Sequence, residues 1–296
     1  DIVSRAIYDE MRKGNVTPQG GVHIEMAHLG PETVSRKFAG MVKRCADCGF
    51  DLAAGRVEVV PTAHYFMGGV VVDTDTRTAL PGLYVAGEDA GGAHGANRLG
   101  GNGVANSTVY GGIAGDVMGR DITGQTSLRD PDEGMLSAEI DRAMAPVGRS
   151  GGNIHELRRA LQDVMWDDVG VIRTADGMTR ALQRLDEIDT ALMETGVAAG
   201  NLAFNLTWHD WLNMRSLVDI SKVITHAGLA RENSRGAHYR EDFHEVGELE
   251  SSYFTQAVTA GGDVKVTRAP VAFTIVKPGE TILPDGEPDT LVAAAE

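Results

Sequence analysis

The chain has 296 residues, 42% hydrophobic and 23% charged, a composition of folded globular proteins with length for about two domains of about 150 residues. Its formal net charge of -15 excludes a generic surface for nucleic acid or an anionic membrane, because a phosphate-binding face needs clustered Lys and Arg. No run approaches the roughly 20 consecutive apolar residues of a membrane-spanning helix, and the 37 glycines are the one clear excess, which points to sites shaped by backbone.

The sequence opens on Asp1 in place of Met and enters helical sequence directly, without the charged, apolar and small-residue order of a signal peptide, so an upstream portion is expected. Ile2, Val3, Ala6, Ile7 and Met11 stand at helical spacing, and Gly14 stops a short amphipathic helix. Alternating Val22, Ile24 and Met26 predict a strand, and Pro31 with Glu32 opens a second helix running to about Cys48, closed by Gly49. Cys45 and Cys48 form a lone CxxC with no second pair or close His pair to complete a zinc site. They read as two thiols near a helix end in a reducing compartment, with no metal expected.

Short apolar runs follow at 57–60, 70–72 and 83–86, separated by turn-rich residues, and they read as buried strands. The last run leads into a glycine-dense segment and a predicted helix over 103–120, the strand, loop, helix order of α/β cofactor domains. Beyond Pro131 the pattern is helical: Ile154, Leu157, Leu161, Val164 and Met165 share one face, and Leu182, Leu185, Ile188 and Leu192 another. A third stripe over 206–231 carries Trp208, Trp211, Leu212, Val218, Val223 and Ile224, and three such helices bury one another in a bundle with Trp and Met as core residues. Alternating runs at 254–258, 264–267 and 271–276 predict a small antiparallel terminal element, and the alanines at 293–295 carry no functional signal. The fold class expected is α/β plus α.

The residues with chemical content gather in PGLYVAGEDAGGAHGANRLGGNG, residues 81–103, and in PTAHYFMGG, residues 61–69. Glycine at this density lets backbone approach a ligand, and the helix that follows offers unpaired N–H groups and a positive dipole end. Glu88 directly follows an apolar run, where a carboxylate accepts hydrogen bonds from ribose or ribityl hydroxyls; a solvated loop carboxylate is the plainer alternative. Arg98, set among glycines, can hold a carboxylate by two parallel hydrogen bonds or make an ordinary surface ion pair. His64 can donate to a second carboxylate, with a structural histidine as the alternative. His94 shares the loop of Arg98 and stands beside either substrate or flavin.

The words TAHYFMGG, VAGE and HGANRLGGN in this order resemble the flavoproteins of the succinate dehydrogenase, fumarate reductase and L-aspartate oxidase family. DIVSRA at the start, MWDDVGVIR over 165–173 and SRGAHYRED over 234–242 extend the resemblance over most of the chain. The resemblance implies the end of a capping domain over 1–55 and the C-terminal part of an FAD-binding domain over 56–122. It implies a helical bundle over 131–246 and a small β-rich element over 247–296. FAD is the implied cofactor, contacted by Glu88 and by Asn102, Gly103 and Val104 at the helix N-terminus, while His64 and Arg98, with His94 close by, hold the carboxylates of a small dicarboxylate.

In the family, hydride passes between flavin N5 and a substrate carbon, and an arginine handles the proton on the neighbouring carbon. That arginine precedes the words DVVSR, so its counterpart would stand before Asp1; Arg5 matches a later arginine, and no residue here is assigned catalysis. The GxGxxG fingerprint and the flavin-attaching histidine region are absent as well. A missing N-terminal FAD-binding part is therefore an expected partner, and the chain alone is expected to be inactive. Relatives often carry a hydroxyl-bearing residue where this sequence has Gly103. The resemblance further implies a partner that carries electrons, an iron–sulfur subunit, and through it a cytoplasmic location peripheral to a membrane. MWDDVGVIR leans toward L-aspartate oxidases, whereas NLTWHDWLNM and ARENSRG lean toward the reductase and dehydrogenase branch, which is favoured. The competing reading is a non-catalytic cap-and-bundle piece that does not hold FAD by itself.

Overall fold

The structure is a computed structural model that describes residues 1–124, 130–198, 202–261 and 263–280. The chain divides into two units: Asp1–Asp130 with Gly236–His238, and Pro131–Arg235 with Tyr239–Glu296. No helix of the described residues is long and apolar enough to cross a membrane.

The first unit opens on α1 (Ile2–Arg12), whose one buried residue is Tyr8. Strand β1 (Val22–Glu25) pairs antiparallel with β2 (Arg56–Val59), Val22 opposite Val59 and Ile24 opposite Val57. Between them lie α2 (Pro31–Lys37) and α3 (Ala39–Asp47), where a single helix is predicted by sequence. The break falls at Phe38, whose φ of -119° and ψ of 32° leave the helical region. It lets both Val34 and Val42 pack on one small core with Leu52, Ala53 and Val57; in a straight helix they would stand about 12 Å apart along the axis. Cys45 and Cys48 are free thiols at the end of α3.

The runs at 70–72 and 83–86 are not strands. Val70 makes a single parallel bridge with Ala90, and Arg77 a single antiparallel bridge with Tyr84. Val71 is 60% exposed. A buried parallel strand needs a hydrogen-bonded neighbour for its ladder, and the described residues place none beside these runs. The observed class is therefore mixed helix with two-stranded antiparallel sheets.

Helix α4 (Asn102–Thr123) closes the first unit. Arg77 donates Nε and Nη2 to the two oxygens of Asp121, both at 3.0 Å, and the Tyr84 hydroxyl donates to the same carboxylate. These bonds hold the preceding turn against the last turn of α4, and the Arg77 guanidinium with the Tyr84 hydroxyl pulls the Asp121 carboxyl down to about 2.

The second unit contains α5 (Glu133–Met144), α6 (Ile154–Asp167), α7 (Ala175–Glu194) and α8 (Leu206–Ala230). Each begins with a side-chain cap: Asp132, Asn153, Thr174 and Asn205 accept first-turn backbone N–H groups. The stripes of α6, α7 and α8 meet in one core that includes Leu161, Val164, Met178, Leu185, Leu192, Trp211 and Val218. The indole of Trp211 donates to the Leu192 carbonyl at 3.0 Å, so its buried N–H is satisfied. Strands β3 (Tyr253–Ala260) and β4 (Asp263–Pro270) form an antiparallel hairpin, Tyr253 opposite Pro270. The run at 271–276 forms no strand, and the alanines at 293–295 lie outside the described residues.

Arg240, 1% exposed, ties this unit together. Its Nη1 donates to the Gly228, Leu229 and Arg231 carbonyls at the end of α8, while Nε and Nη2 grip Asp242 at 2.7 and 2.8 Å. Asp242 in turn accepts the Ala175 N–H at the start of α7, at 2.8 Å. One ion pair thus supplies the acceptor that a helix start lacks and the donors that a helix end lacks.

Candidate active site

The candidate residues all belong to the first unit, on the loops 61–69 and 87–101 and the first turn of α4. Close backbone approach joins the loops. The Val70 N–H donates to the Asp89 carbonyl at 2.8 Å and the Gly91 N–H to the Val70 carbonyl at 2.9 Å. Gly69, at φ 150°, permits this, since a Cβ there would lie 2.3 Å from the Asp89 oxygen. The loop is pinned again at Ala96, whose carbonyl accepts the Ala237 N–H at 3.0 Å.

Arg98 follows two residues later. Its backbone N–H donates to Met67 Sδ at 3.0 Å, and its guanidinium carbon sits 4.4 Å from the centroid of the Tyr65 ring. Nη1 donates to the Leu99 carbonyl at 3.4 Å, a long contact, and Nε is buried with no partner. Among the described residues no carboxylate pairs with this guanidinium.

Behind the ring lies a small polar network. Asn106 Nδ2 is 3.2 Å from the Gly87 carbonyl, 3.2 Å from the Tyr65 hydroxyl and 3.1 Å from His94 Nε2. The Tyr65 hydroxyl is 3.3 Å from the same His94 nitrogen, and the His94 ring meets the tyrosine edge-on. The Gly87 oxygen can only accept, so it takes one amide proton of Asn106. Giving the second to the Tyr65 oxygen frees the phenol proton for His94 Nε2, so the Asn106 amide protons, the Gly87 oxygen, the Tyr65 hydroxyl and His94 Nε2 each have a partner. Asn106 is buried, one turn into α4.

The start of α4 adds a second positive feature. Its N-cap is Gly101, at φ 83°, with no side-chain cap and no acidic residue in the first turn. The Asn102 N–H donates to the Leu99 carbonyl at 3.2 Å, and the described residues offer no side-chain cap and no first-turn acid to the remaining N–H groups and the positive dipole end of this helix. A Cβ on Gly103 would stand 3.0 Å from the Tyr65 ring, tighter than ordinary contact, so glycine is what lets the ring approach the helix; Arg98 Nη1, at 3.6 Å from that point, lies at ordinary contact distance.

The structure thus brings Arg98, His94 and Gly103 together around Tyr65. His64 is exposed and makes no hydrogen bond to a described residue; it joins this group only as the chain neighbour of Tyr65. Glu88 is exposed, and its Oε1 accepts the Phe66 N–H at 2.7 Å, so the carboxylate also holds the His64 loop. Asn102 is exposed and Val104 is 79% exposed, while Gly100 and Gly101 face open space. Bare backbone, an uncapped helix start and an exposed apolar side chain suit an electron-rich planar ring laid against them. Sequence reasoning missed Tyr65, Met67 and Asn106. Tyr65 and Met67 stand inside the word that carries His64, and Asn106, a polar residue four positions after Asn102, was the available signal for a buried partner.

Residues 1–104 match the family model described as FAD binding domain, and residues 158–282 match the one described as fumarate reductase flavoprotein C-term. The chain belongs to the succinate dehydrogenase and fumarate reductase flavoprotein family. FAD is the cofactor of this family. The flavoprotein chain is 36% identical over 251 residues to one of the subunits of fumarate reductase (CoM/CoB) from Methanothermobacter marburgensis, covering 83% of this chain and 44% of that protein. It is 35% identical over 247 residues to L-aspartate oxidase 1 of Ralstonia nicotianae, covering 82% and 43%. Among solved structures, Mycobacterium smegmatis Sdh1 in complex with UQ1 superposes with a TM-score of 0.81 at 32% identity, covering 90% of this chain and 46% of that one. The chain therefore spans about half the length of the curated relatives it matches.

Proposed function

We propose that this chain contributes the dicarboxylate-holding face of an FAD-dependent oxidoreductase that interconverts succinate and fumarate or a similar dicarboxylate. The observation that carries the reading is Arg98: a guanidinium without a carboxylate partner among the described residues, its Nε buried and unpaired, beside an uncapped helix start. A protein of net charge -15 has carboxylates to spare, and leaving this arginine unpaired reserves it for an anion from outside.

Arg98 donates parallel N–H groups to one substrate carboxylate, and His64, unengaged in the structure, donates to the other. Holding both ends places one substrate carbon at a fixed point, which turns a rare encounter into a positioned one. The same donors draw electron density toward the carboxylates, and the charge of Arg98 with the dipole of α4 stabilises negative charge as it develops. Glu88 accepts from hydroxyls of the flavin nucleotide, and the first turn of α4, at Asn102, Gly103 and Val104, lies against its ring. FAD when bound supplies the hydride donor or acceptor at N5. The remaining FAD contacts and the proton-transferring arginine come from a part outside these residues, and the proposed electron partner is an iron–sulfur subunit on the face of a membrane.

The test is Arg98→Ala in the FAD-loaded polypeptide that contains this chain. Turnover with fumarate is expected to fall at least about 1000-fold with flavin content retained, and unchanged turnover would reject the assignment. L-aspartate oxidation is the second reading, favoured by MWDDVGVIR and by the 35% identity to an L-aspartate oxidase; turnover of L-aspartate exceeding that of succinate selects it. Flavin absorbance in the purified chain alone separates an FAD-holding chain from a cap-and-bundle piece.

A further inference from the structure

Arg98 poses a physical question: what fixes the plane of a guanidinium that has no carboxylate partner? Among the described residues its Nε bonds nothing, and its one side-chain hydrogen bond, Nη1 to the Leu99 carbonyl at 3.4 Å, is at the limit of a hydrogen bond. What remains is the face of Tyr65 at 4.4 Å, well inside the range of a cation–π contact. We propose that Tyr65 is a positioning residue that orients Arg98 for substrate, with Asn106 and His94 holding the tyrosine by its hydroxyl.

The choice of an aromatic ring over a carboxylate has a chemical consequence. A carboxylate would orient the guanidinium by occupying the donors that a substrate carboxylate needs. The ring attracts the cation through its face and leaves those N–H groups unpaired, so orientation and availability coexist. The ring is itself fixed from behind: Asn106, 8% exposed, binds the Gly87 carbonyl and the Tyr65 hydroxyl, both at 3.2 Å. The His94 ring packs edge-on at 5.3 Å. The sequence of supports runs from backbone at Gly87 through Asn106 to Tyr65 and then to Arg98. Losing the ring's attraction lets Arg98 leave the competent orientation, and affinity falls by the fraction of molecules in which it has left.

The inference rests on the proposed role of Arg98, and the experiment separates the two. In the FAD-loaded polypeptide that contains this chain, Tyr65 is replaced by phenylalanine and by mono-, di- and trifluorinated phenylalanines, which keep the ring's shape while draining electron density from its face. Calorimetry then reads the Kd of malonate, an unreactive dicarboxylate, and steady-state kinetics read fumarate turnover. The expected result is a stepwise rise in Kd along the fluorinated series reaching about tenfold, with KM following and kcat within about twofold. A Kd that is flat along the series makes the ring mere filling and overturns the proposal, provided Arg98→Gln weakens malonate binding. Malonate binding unchanged in Arg98→Gln removes the role of Arg98 and that of Tyr65 with it.

Discussion

Helices α4 and α7 are nearly equal in length, 22 and 20 residues, and treat their apolar residues in opposite ways. In α7 the residues Met178, Ala181, Leu185, Ile188 and Leu192 recur every three or four positions and are all buried. In α4 only Asn106, Ala114 and Val117 are buried, and Val104, Val109 and Ile122 stay exposed. Helix α7 is held by its own unit through packing. Helix α4 is held at its end by Asp121, and its start, with Arg98 and Tyr65 beside it, is the part proposed to meet a ligand. On the proposed reading, residues that hold the fold and residues that hold a ligand are segregated by element, and substitutions should sort accordingly.

A large effect is expected at Arg240. Replacing it by Met leaves the Asp242 carboxylate unpaired and strips donors from the Gly228, Leu229 and Arg231 carbonyls. Stripping three carbonyls of their donor and leaving Asp242, 30% exposed, without its cation is expected to cost about 3 kcal/mol, the low end for breaking a buried pair, to be read as a lowered free energy of unfolding in urea by helical circular dichroism. A cost under about 1 kcal/mol would show that water reaches these groups once the guanidinium is gone.

The comparison of the two helices is tested more directly by truncation on each. Leu185→Ala, at a fully buried site of α7, is expected to cost about 2–5 kcal/mol through lost burial and the cavity left behind. Val109→Ala, 58% exposed on α4, is expected to stay within about 0.5 kcal/mol. Equal costs in urea would mean that the apolar face of α4 is covered in solution.

The same contrast explains what the sequence made legible. The existence of α6, α7 and α8 was legible from side-chain periodicity, a local signal, whereas their caps at Asn153, Thr174 and Asn205 emerged from the structure. Trp211 and Met214 were readable as core because their stripe repeats with the helix. The apolar runs at 70–72 and 83–86 misled, because a run reports that residues seek burial and says nothing of what buries them. The break at Phe38 was hidden because its cause is a core assembled from distant residues, Leu52 and Val57. At the site, Arg98, Glu88 and His64 stood out as uncommon words, whereas Tyr65 and Asn106 matter through distances that only folding creates.

An effect of pH sharpens the contrast between an exposed and a buried guanidinium. Asp121 and Asp242 are each held down to about 2, the first by Arg77 and Tyr84, the second by Arg240. A carboxyl whose folded value is depressed adds stability that is complete above its unfolded value near 4 and is lost as pH falls through about 2. The carboxylates are alike, 29% exposed at Asp121 and 30% at Asp242, but the Arg77 side chain is 37% exposed and that of Arg240 is 1% exposed. Salt therefore screens the first pair more than the second, in which the guanidinium is shielded while the carboxylate still meets solvent. Urea midpoints read by helical circular dichroism should fall between pH 4 and pH 2, and this fall should flatten in Asp242→Asn in both low and high salt. Asp121→Asn should flatten it less, and less still at high salt. If both variants respond to salt alike, the Arg240 pair is wetter than its burial implies, and its place as the tie between α7 and α8 is lost.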